Sequence, residues 1–429
     1  MMNQTVKNLK TPIAIIGLGK SGSSALKLLL AAGFQNNEII TYDDKDSSAT
    51  ICQPADLIAR KPQTLVVSPG VPLGTSWLQQ LIQSGAHLTS EISLAASFLT
   101  TEKIIGITGS VGKSTVTSIL GVGALADDEN SFVGGNLGTP FCEYAHKLIT
   151  GGAKGKWVVL ELSSYQLENC RGLTLDFSAI TFLSPNHLER YVNLEQYYQT
   201  KLTITGITKN VCVINKSSVD AVQFSKMAKC STKLVNADDS LTEQQRKKIS
   251  LIGKHNLDNF AVANELANLT GLQQSAVEKM YTFKGLAHRL ENVGTVNGVT
   301  YVNDSKATAM DSVLVAVSGC LEKVTEKHKL HLLLGGKDKN LPWEQLQVLK
   351  SDTRINGVFF GACGELAKEK SKLDGKSFKS LNDAIEFCFS VEKPGDIVLL
   401  SPGGTSLDEF KNFEERGHFF TKKVIRFSK

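Results

Sequence analysis

Eight consecutive residues, Thr108-Gly109-Ser110-Val111-Gly112-Lys113-Ser114-Thr115, combine two glycines, a lysine and four hydroxyls. An apolar, strand-like run (Ile104–Ile107) precedes them and a helical pattern (Thr115–Leu125) follows. Glycines between a strand and a helix let backbone N–H groups curl around a phosphate. In that reading Gly109, Ser110, Val111, Gly112 and Thr115 shape the cradle and Lys113 reaches the terminal phosphates. Ser114 offers its hydroxyl to Mg²⁺, and the helix N-terminus adds partial positive charge. The usual spacing wants a glycine where Ile107 stands, so an ordinary turn is the plain alternative. The flanking strand and helix favour the phosphate, and ATP is the expected ligand.

A second glycine loop, Gly17-Leu18-Gly19-Lys20-Ser21-Gly22, lies between a strand (Ile13–Ile16) and a helix (Ser23–Ala32) that ends at Gly33. Asp43 and Asp44 follow the next strand, Ile39–Tyr42, at the distance of a ribose-binding carboxylate. Leu65–Val67 then runs into the turn Ser68-Pro69-Gly70. Three readings are open: the dinucleotide site of an NAD-dependent dehydrogenase, a tight turn without a cofactor, or a grip on the diphosphate of another nucleotide.

These loops need α/β scaffolds, and the rest of the chain supplies them. A length of 429 residues, 41% hydrophobic and 21% charged, suits a globular protein of two or three domains. A net charge of +5 with scattered lysines gives no nucleic-acid footprint. No apolar stretch is long enough to span a bilayer, and no leader pattern opens the chain. Eight widely spaced cysteines form no Cys-x-x-Cys pair, and most sit in apolar runs as reduced core residues. A cytoplasmic enzyme without membrane or nucleic-acid partners is expected.

Strands Trp157–Leu160, ending in Glu161, and Ala179–Leu183, followed by His187, place polar side chains at carboxyl ends, where open α/β sheets bind ligands. Further strands are expected at Val299–Val302, Leu332–Leu334, Gly357–Phe360 and Ile397–Leu400, with 284–289 as a hinge that lets the last domain close. The expected class is α/β with parallel, doubly wound sheets.

More motifs follow in order. They are Gly134-Gly135-Asn136, Glu161-Leu162-Ser163-Ser164-Tyr165-Gln166-Leu167, Asn186-His187-Leu188-Glu189-Arg190-Tyr191 and Tyr198-Gln199-Thr200-Lys201-Leu202. Then come Gly253-Lys254-His255-Asn256-Leu257-Asp258-Asn259, Gly285-Leu286-Ala287-His288-Arg289 and Asn303-Asp304-Ser305-Lys306-Ala307-Thr308. Gly335-Gly336-Lys337-Asp338-Lys339 and the stretch from Ser401 through Ser406-Leu407-Asp408 and Phe413 to Arg416-Gly417 complete the series.

From Gly17 to Phe420 this series resembles the Mur ligases, and its Glu161–Leu167 and Ser406–Gly417 runs resemble the branch that adds D-glutamate. The phosphate loop and the Asn256/Asn259 run are shared with folylpolyglutamate-type ligases. The resemblance implies three domains: 1–97, Rossmann-like, binding the UDP substrate; 98–289, a P-loop ATPase-type domain; and 290–429, Rossmann-like, receiving the amino acid. It implies a monomer joining D-glutamate to UDP-N-acetylmuramoyl-L-alanine through an acyl phosphate, with ATP and two Mg²⁺ ions, in peptidoglycan precursor synthesis.

By the same resemblance Lys20, Ser21 and Gly70 match diphosphate contacts, and Asp43 and Asp44 the uridine region. Asn136 matches both a substrate and an ATP contact, and His187 a substrate contact. Ser114 and Glu161 match ligands of the first Mg²⁺, His187 and Lys201 those of the second. Lys113, Glu161, His187 and Lys201 form the catalytic set. Asn256, Asn259, Arg289, Asp304 and Lys306 match ATP contacts. Thr308, Lys339, Ser406 and Phe413 match D-glutamate contacts, with Ser406 expected to donate from a helix N-terminus.

An ammonium group cannot ligate Mg²⁺, so Lys201 is expected to work as a CO₂-derived carbamate, its pKa lowered among Tyr197, Tyr198 and Leu202. The alternative is an intact lysine that pairs with a phosphate or with Glu195. Three positions depart from the family pattern: Ala309 for asparagine, Asn340 for glycine, and Asn186 for aspartate.

Overall fold

The computed structural model describes residues 9–185 and 190–427. Two compact units emerge: one runs through Arg246 and takes in Asp258–Thr282, and the other holds Lys247–Leu257 and the chain from Phe283 onward.

The first unit contains two parallel sheets. In the first, β1 (Ile13–Ile16), β2 (Ile39–Tyr42), β3 (Thr64–Val67) and β4 (His87–Thr89) stand in the order β2-β1-β3-β4. Every residue of β1 is buried, because both faces of the sheet are covered. Ile13 and Ile15 pack with Leu28 and Leu29 of the helix Lys20–Ala31, while Ala14 and Ile16 join Leu57, Leu78 and Leu81 on the opposite face.

The second sheet holds β5 (Lys103–Thr108), β6 (Phe132–Gly135), β7 (Trp157–Glu161), β8 (Phe177–Ile180), β9 (Val211–Asn215) and β10 (Ser231–Val235). Its order, β10-β9-β8-β5-β7-β6, reverses direction around β5, so the chain leaves a crevice at the carboxyl ends there.

The second unit is built on β11 (Glu291–Val296), β12 (Val299–Asn303), β13 (Leu330–Gly335), β14 (Ile355–Phe360), β15 (Gly375–Phe378) and β16 (Ile397–Gly403). They stand in the order β11-β12-β16-β13-β14-β15, with only the β11–β12 pairing antiparallel among those described. Alternation again sets the two cores: Leu330, Leu332 and Leu334 face one, Leu333 the other.

The expected α/β class and strand positions hold, and the differences lie at element ends. The first helix starts at Lys20 and the phosphate-loop helix (Lys113–Asp127) at Lys113, so Lys20, Ser21, Lys113 and Ser114 are already in first turns. β8 stops at Ile180 rather than Leu183, because the Phe182 carbonyl turns to accept the N–H groups of Ser110 and Val111. Six of the eight cysteines are buried as expected; Cys52 is exposed and Cys230 half-buried. Among the described residues no helix is long and apolar enough to cross a membrane.

Candidate active site

The loop after β5 closes back on itself. Gly112 adopts φ +89°, and a Cβ there would meet Asn259 Oδ1 at 2.3 Å, so glycine is required on both counts. Asn259 therefore stands against the loop. Lys113 Nζ donates to the carbonyls of Gly109 (2.9 Å) and Ser110 (3.0 Å), folding its ammonium over the cradle. The N–H groups of Ser110 and Val111 both donate to Phe182 O, at 2.8 and 3.1 Å. That pairing, with Thr181 Oγ1 donating to Val111 O (2.6 Å), pins the loop to the chain after β8. The positive end of the helix, at Gly112–Ser114, is of the kind that attracts an anion.

Sheet register brings the other polar groups alongside. Glu161 ends β7 opposite Ile107 of β5 and Gly135 of β6. Asn136 follows β6; its N–H bonds Glu161 O (2.9 Å) and its Nδ2 bonds Glu161 Oε1 (2.6 Å). The carboxylate is buried, and its Oε2 meets no hydrogen-bond donor among the described residues. An orphaned, buried carboxylate oxygen, on the strand paired with the one that leads into the loop of buried Ser114, suits a hard cation such as Mg²⁺.

Lys201 lies on the helix Leu194–Leu202, only 1% exposed. Its Nζ donates to Gly109 O (2.7 Å) and sits over the Tyr197 ring at 4.6 Å. Burial, reinforced by neighbouring Lys113 and opposed by Glu161, drives its pKa down to about 6. The amine is therefore largely neutral at pH 7. Glu195 takes a bond from Gln199 instead of pairing with Lys201. His187 and Asn186 lie outside the described residues.

A cleft of about 490 Å³ opens between the first two sheets, and it gathers Lys20, Ser21, Asp43, Asp44, Gly70 and Asn136. All six were expected at a substrate site. The glycine loop is tightly seated: a Cβ on Gly22 would meet Gly17 O at 1.8 Å, the close turn-to-helix approach such loops require. Asp43 behaves differently from a ribose ligand. Its Oδ2 accepts Leu18 N–H (2.7 Å), and Oδ1 accepts those of Lys45 (2.9 Å) and Asp46 (3.1 Å). The Leu18 and Lys45 amides hold the carboxyl below its ordinary pKa. Asp43 thus braces the glycine loop, while Asp44 also lines the cleft.

In the second unit, the expected residues stand at the carboxyl ends of three neighbouring strands. Asp304, Lys306 and Thr308 follow β12, Ser406 follows β16, and Lys339 follows β13. The loops after β13 and β16 are tied by the Lys337–Thr405 bridge. Asp304 is buried, accepting from Leu290 N (3.1 Å) and Ser401 Oγ (2.9 Å), and burial pushes its pKa to about 7. Lys306 Nζ lies 3.8 Å from the Phe413 ring centre, and burial followed by the charge of Arg289 lowers its pKa. Asn256 belongs to this unit and donates to Ile252 O (2.7 Å). Within 284–289, Gly285 and His288 have positive φ, as does Leu290 just after it.

Ser406 is corrected: it opens a turn closed by Phe410 N–H to Ser406 O (2.8 Å), and the helix begins only at Phe413. Asn340 has φ +60°, a left-handed conformation that asparagine tolerates, which explains glycine as the common alternative. Ala309 is the N-cap of the helix Met310–Leu321 and gives it no side-chain cap. Sequence reading assigned no role to Arg416, although its motif was evident. Its side chain is fully buried and ties together Ser305 and Gly404.

Comparison with known proteins agrees with this geometry. Residues 107–267 match the Mur ligase middle domain. The UDP-N-acetylmuramoylalanine–D-glutamate ligase of Myxococcus xanthus is 32% identical, covering 96% of this chain and 97% of that protein. The enzyme of that name from Haemophilus influenzae is 33% identical over 95% of this chain and 97% of its own length. Among solved structures, the MurF ligase of Thermotoga maritima in complex with ADP shares the fold with a TM-score of 0.60 and 15% identity, covering 99% of this chain and 97% of that one. E. coli FolC in complex with DHPP and ADP has a TM-score of 0.56 and 14% identity, covering 84% and 99%. The chain belongs to the Mur ligases, in the family of UDP-N-acetylmuramoylalanine–D-glutamate ligases.

Proposed function

We propose that the protein is an ATP-dependent ligase that joins D-glutamate to UDP-N-acetylmuramoyl-L-alanine in peptidoglycan precursor synthesis. One observation carries the reading most directly: Asn136 lines the nucleotide-loop cleft and also bonds Glu161 beside the phosphate loop. A substrate held by its diphosphate in that cleft can extend its carboxylate toward ATP. The reading assigns 1–97 to the UDP moiety, 98–289 to ATP and 290–429 to the amino acid.

The substrate carboxylate attacks the γ-phosphorus of ATP, giving an acyl phosphate and ADP. The D-glutamate amine then attacks the acyl carbon; an amide forms, phosphate leaves and a proton is released. Two anions must meet in the first step, so positive charge is needed where charge accumulates. Lys113 supplies it from the loop once phosphates replace its carbonyl partners. Ser114 and Glu161 would hold one Mg²⁺, His187 and Lys201 a second, and these ions supply further charge neutralisation.

The neutral Lys201 amine adds CO₂ to become a carbamate, releasing one proton and presenting two oxygens in place of a cation. Asn259 and Asn256 serve the nucleotide, with Arg289, Asp304 and Lys306. Lys339, Thr308, Ser406 and Phe413 receive D-glutamate, Lys339 as counter-charge to a carboxylate. The protein acts as a cytoplasmic monomer on small molecules alone.

The test supplies UDP-N-acetylmuramoyl-L-alanine, ATP and Mg²⁺ and follows phosphate release. D-Glutamate drives it; L-alanine, L-lysine and meso-diaminopimelate do not. Equal release with any of those three would remove the D-glutamate assignment.

A further inference from the structure

The wall of the cleft opposite the glycine loop is the segment Gly135–Pro140, which leads into the helix Phe141–Ile149. That helix starts behind Pro140, and its N-cap provides no side-chain hydrogen bond. Its first amide groups would be buried orphans without another partner. The partner comes from a separate helix, Glu91–Ala96: the Glu91 carboxylate accepts the Cys142 N–H, and the Phe141 amide adds to it. The Cys142 thiol donates in return to the Glu91 carbonyl (3.3 Å). Glu91 is only 2% exposed, an expensive place for a carboxyl that serves no packing purpose.

The clamp is braced on a second side. The helix Phe141–Ile149 packs on Lys20–Ala31, the helix that opens with the glycine loop, and Lys27 pairs with Glu143 at 2.8 Å. The two walls of the cleft are thus the starts of two packed helices, one of which depends on Glu91 for its N-terminal cap.

We propose that Glu91 is a positioning residue for the nucleotide substrate: by capping the helix Phe141–Ile149 from outside, it fixes the Gly138–Pro140 wall. The inference rests on reading the cleft as the UDP-substrate site. Burial raises the Glu91 carboxyl to about 7, against the pull of the Cys142 and Phe141 amides and with a further push from Glu143. The ionisable groups facing it are the Cys142 and Cys170 thiols and Glu143, whose charge Lys27 offsets. A charged carboxylate caps a helix more strongly than a neutral acid. The wall therefore tightens as pH rises through neutrality.

Kinetics and calorimetric binding of the UDP substrate test this on the full chain. Glu91→Ala raises its KM and Kd by about tenfold, the scale of a lost cap. kcat and the KM values for ATP and D-glutamate stay within about twofold. Glu91→Gln keeps an acceptor but cannot ionise, so its Kd stays flat from pH 6 to 8.5 while that of the native protein falls. Equal changes in all three KM values, a loss confined to kcat, or a Glu91→Gln curve that follows the native one would overturn the proposal. If Glu91→Ala does not fold, the Glu91→Gln pH curve decides. Binding is read without turnover, so a native protein that binds the UDP substrate but ignores D-glutamate removes the assigned reaction and leaves the clamp standing.

Discussion

Lys201 and Arg416 are both buried cations, at 1% and 0% exposure, and the protein treats them in opposite ways. Lys201 has a single carbonyl acceptor among the described residues; burial first, and then the nearby Lys113 charge, take its pKa down to about 6. Arg416 donates to Ser305 Oγ (3.1 Å), Gly404 O (3.1 Å) and Ser305 O (2.9 Å). Burial lowers its pKa only to about 10, so it stays charged at neutral pH. Burial alone does not decide the state of a cation: the charges of Asp408 and Glu409 and the intrinsic basicity of a guanidinium keep Arg416 charged, whereas Lys113 adds to the burial that discharges Lys201. A neutral buried amine is a nucleophile ready for chemistry, whereas a guanidinium bonded through all three nitrogens is a fastener.

The sharpest way to break this contrast is to replace each in turn. Lys201→Ala or Lys201→Arg is expected to lower kcat by about 10³-fold, the scale of losing a preorganised charge at the reacting phosphate. Full activity in CO₂-free buffer would remove the carbamate, and restoration by bicarbonate after such depletion would support it.

Stability should move the other way. Because the folded pKa of Lys201 lies below its unfolded value, the unfolded chain binds more protons between about pH 6 and 10. The cost of burying Lys201 is therefore full below pH 6 and fades as pH rises. In CO₂-free buffer Lys201→Met should raise the melting temperature most near pH 6 and least near pH 10. A gain that does not vary with pH would show that Lys201 is not a buried titrating amine.

Arg416→Met should behave in the opposite sense, destabilising at every pH. It strands the Gly404 and Ser305 carbonyls, while Ser305 Oγ keeps its bond to Phe413 O, and even one buried unpaired group costs about 1–3 kcal/mol. A loss of about 3 kcal/mol in denaturant unfolding is expected for the second unit. A loss below about 1 kcal/mol would mean that water replaces the guanidinium and that Arg416 is no fastener.

How far these roles were legible in sequence depends on whether a pattern is local. The phosphate loop, Glu161 at a strand end, and the cleft residues from Lys20 to Gly70 were readable, because glycine spacing and strand ends follow from one short stretch of chain. Glu91 carried no such signal: its partner amide lies 51 residues away, and only the fold brings the two together. The same reason hid the capture of the Ser110 and Val111 amides by Phe182, and the spending of the Asp43 carboxylate on Leu18. Helix starts were misplaced by two or three residues because Lys20 and Lys113 begin helices directly from glycine turns, without a capping side chain to announce them.

Ala309 gives the smallest expected effect and the finest test of Arg416. It caps the helix Met310–Leu321 from an extended conformation, φ −149° and ψ 151°, suited to asparagine, and it is exposed, so a longer side chain meets no wall. Ala309→Asn should let Oδ1 accept the Asp311 or Ser312 N–H and stabilise the unit by about 1 kcal/mol. The turn from Asp304 to Ala309 is the one Arg416 fastens through Ser305, and Gly403 N–H joins it by bonding Ala307 O (3.0 Å). If the guanidinium and a new cap order the same turn, the cap should gain more in the Arg416→Met background than in the native chain. A coupling of about 0.5 kcal/mol or more in a double-mutant cycle is the expected result. Strict additivity would make the turn stiff without Arg416 and confine that residue to holding Gly404.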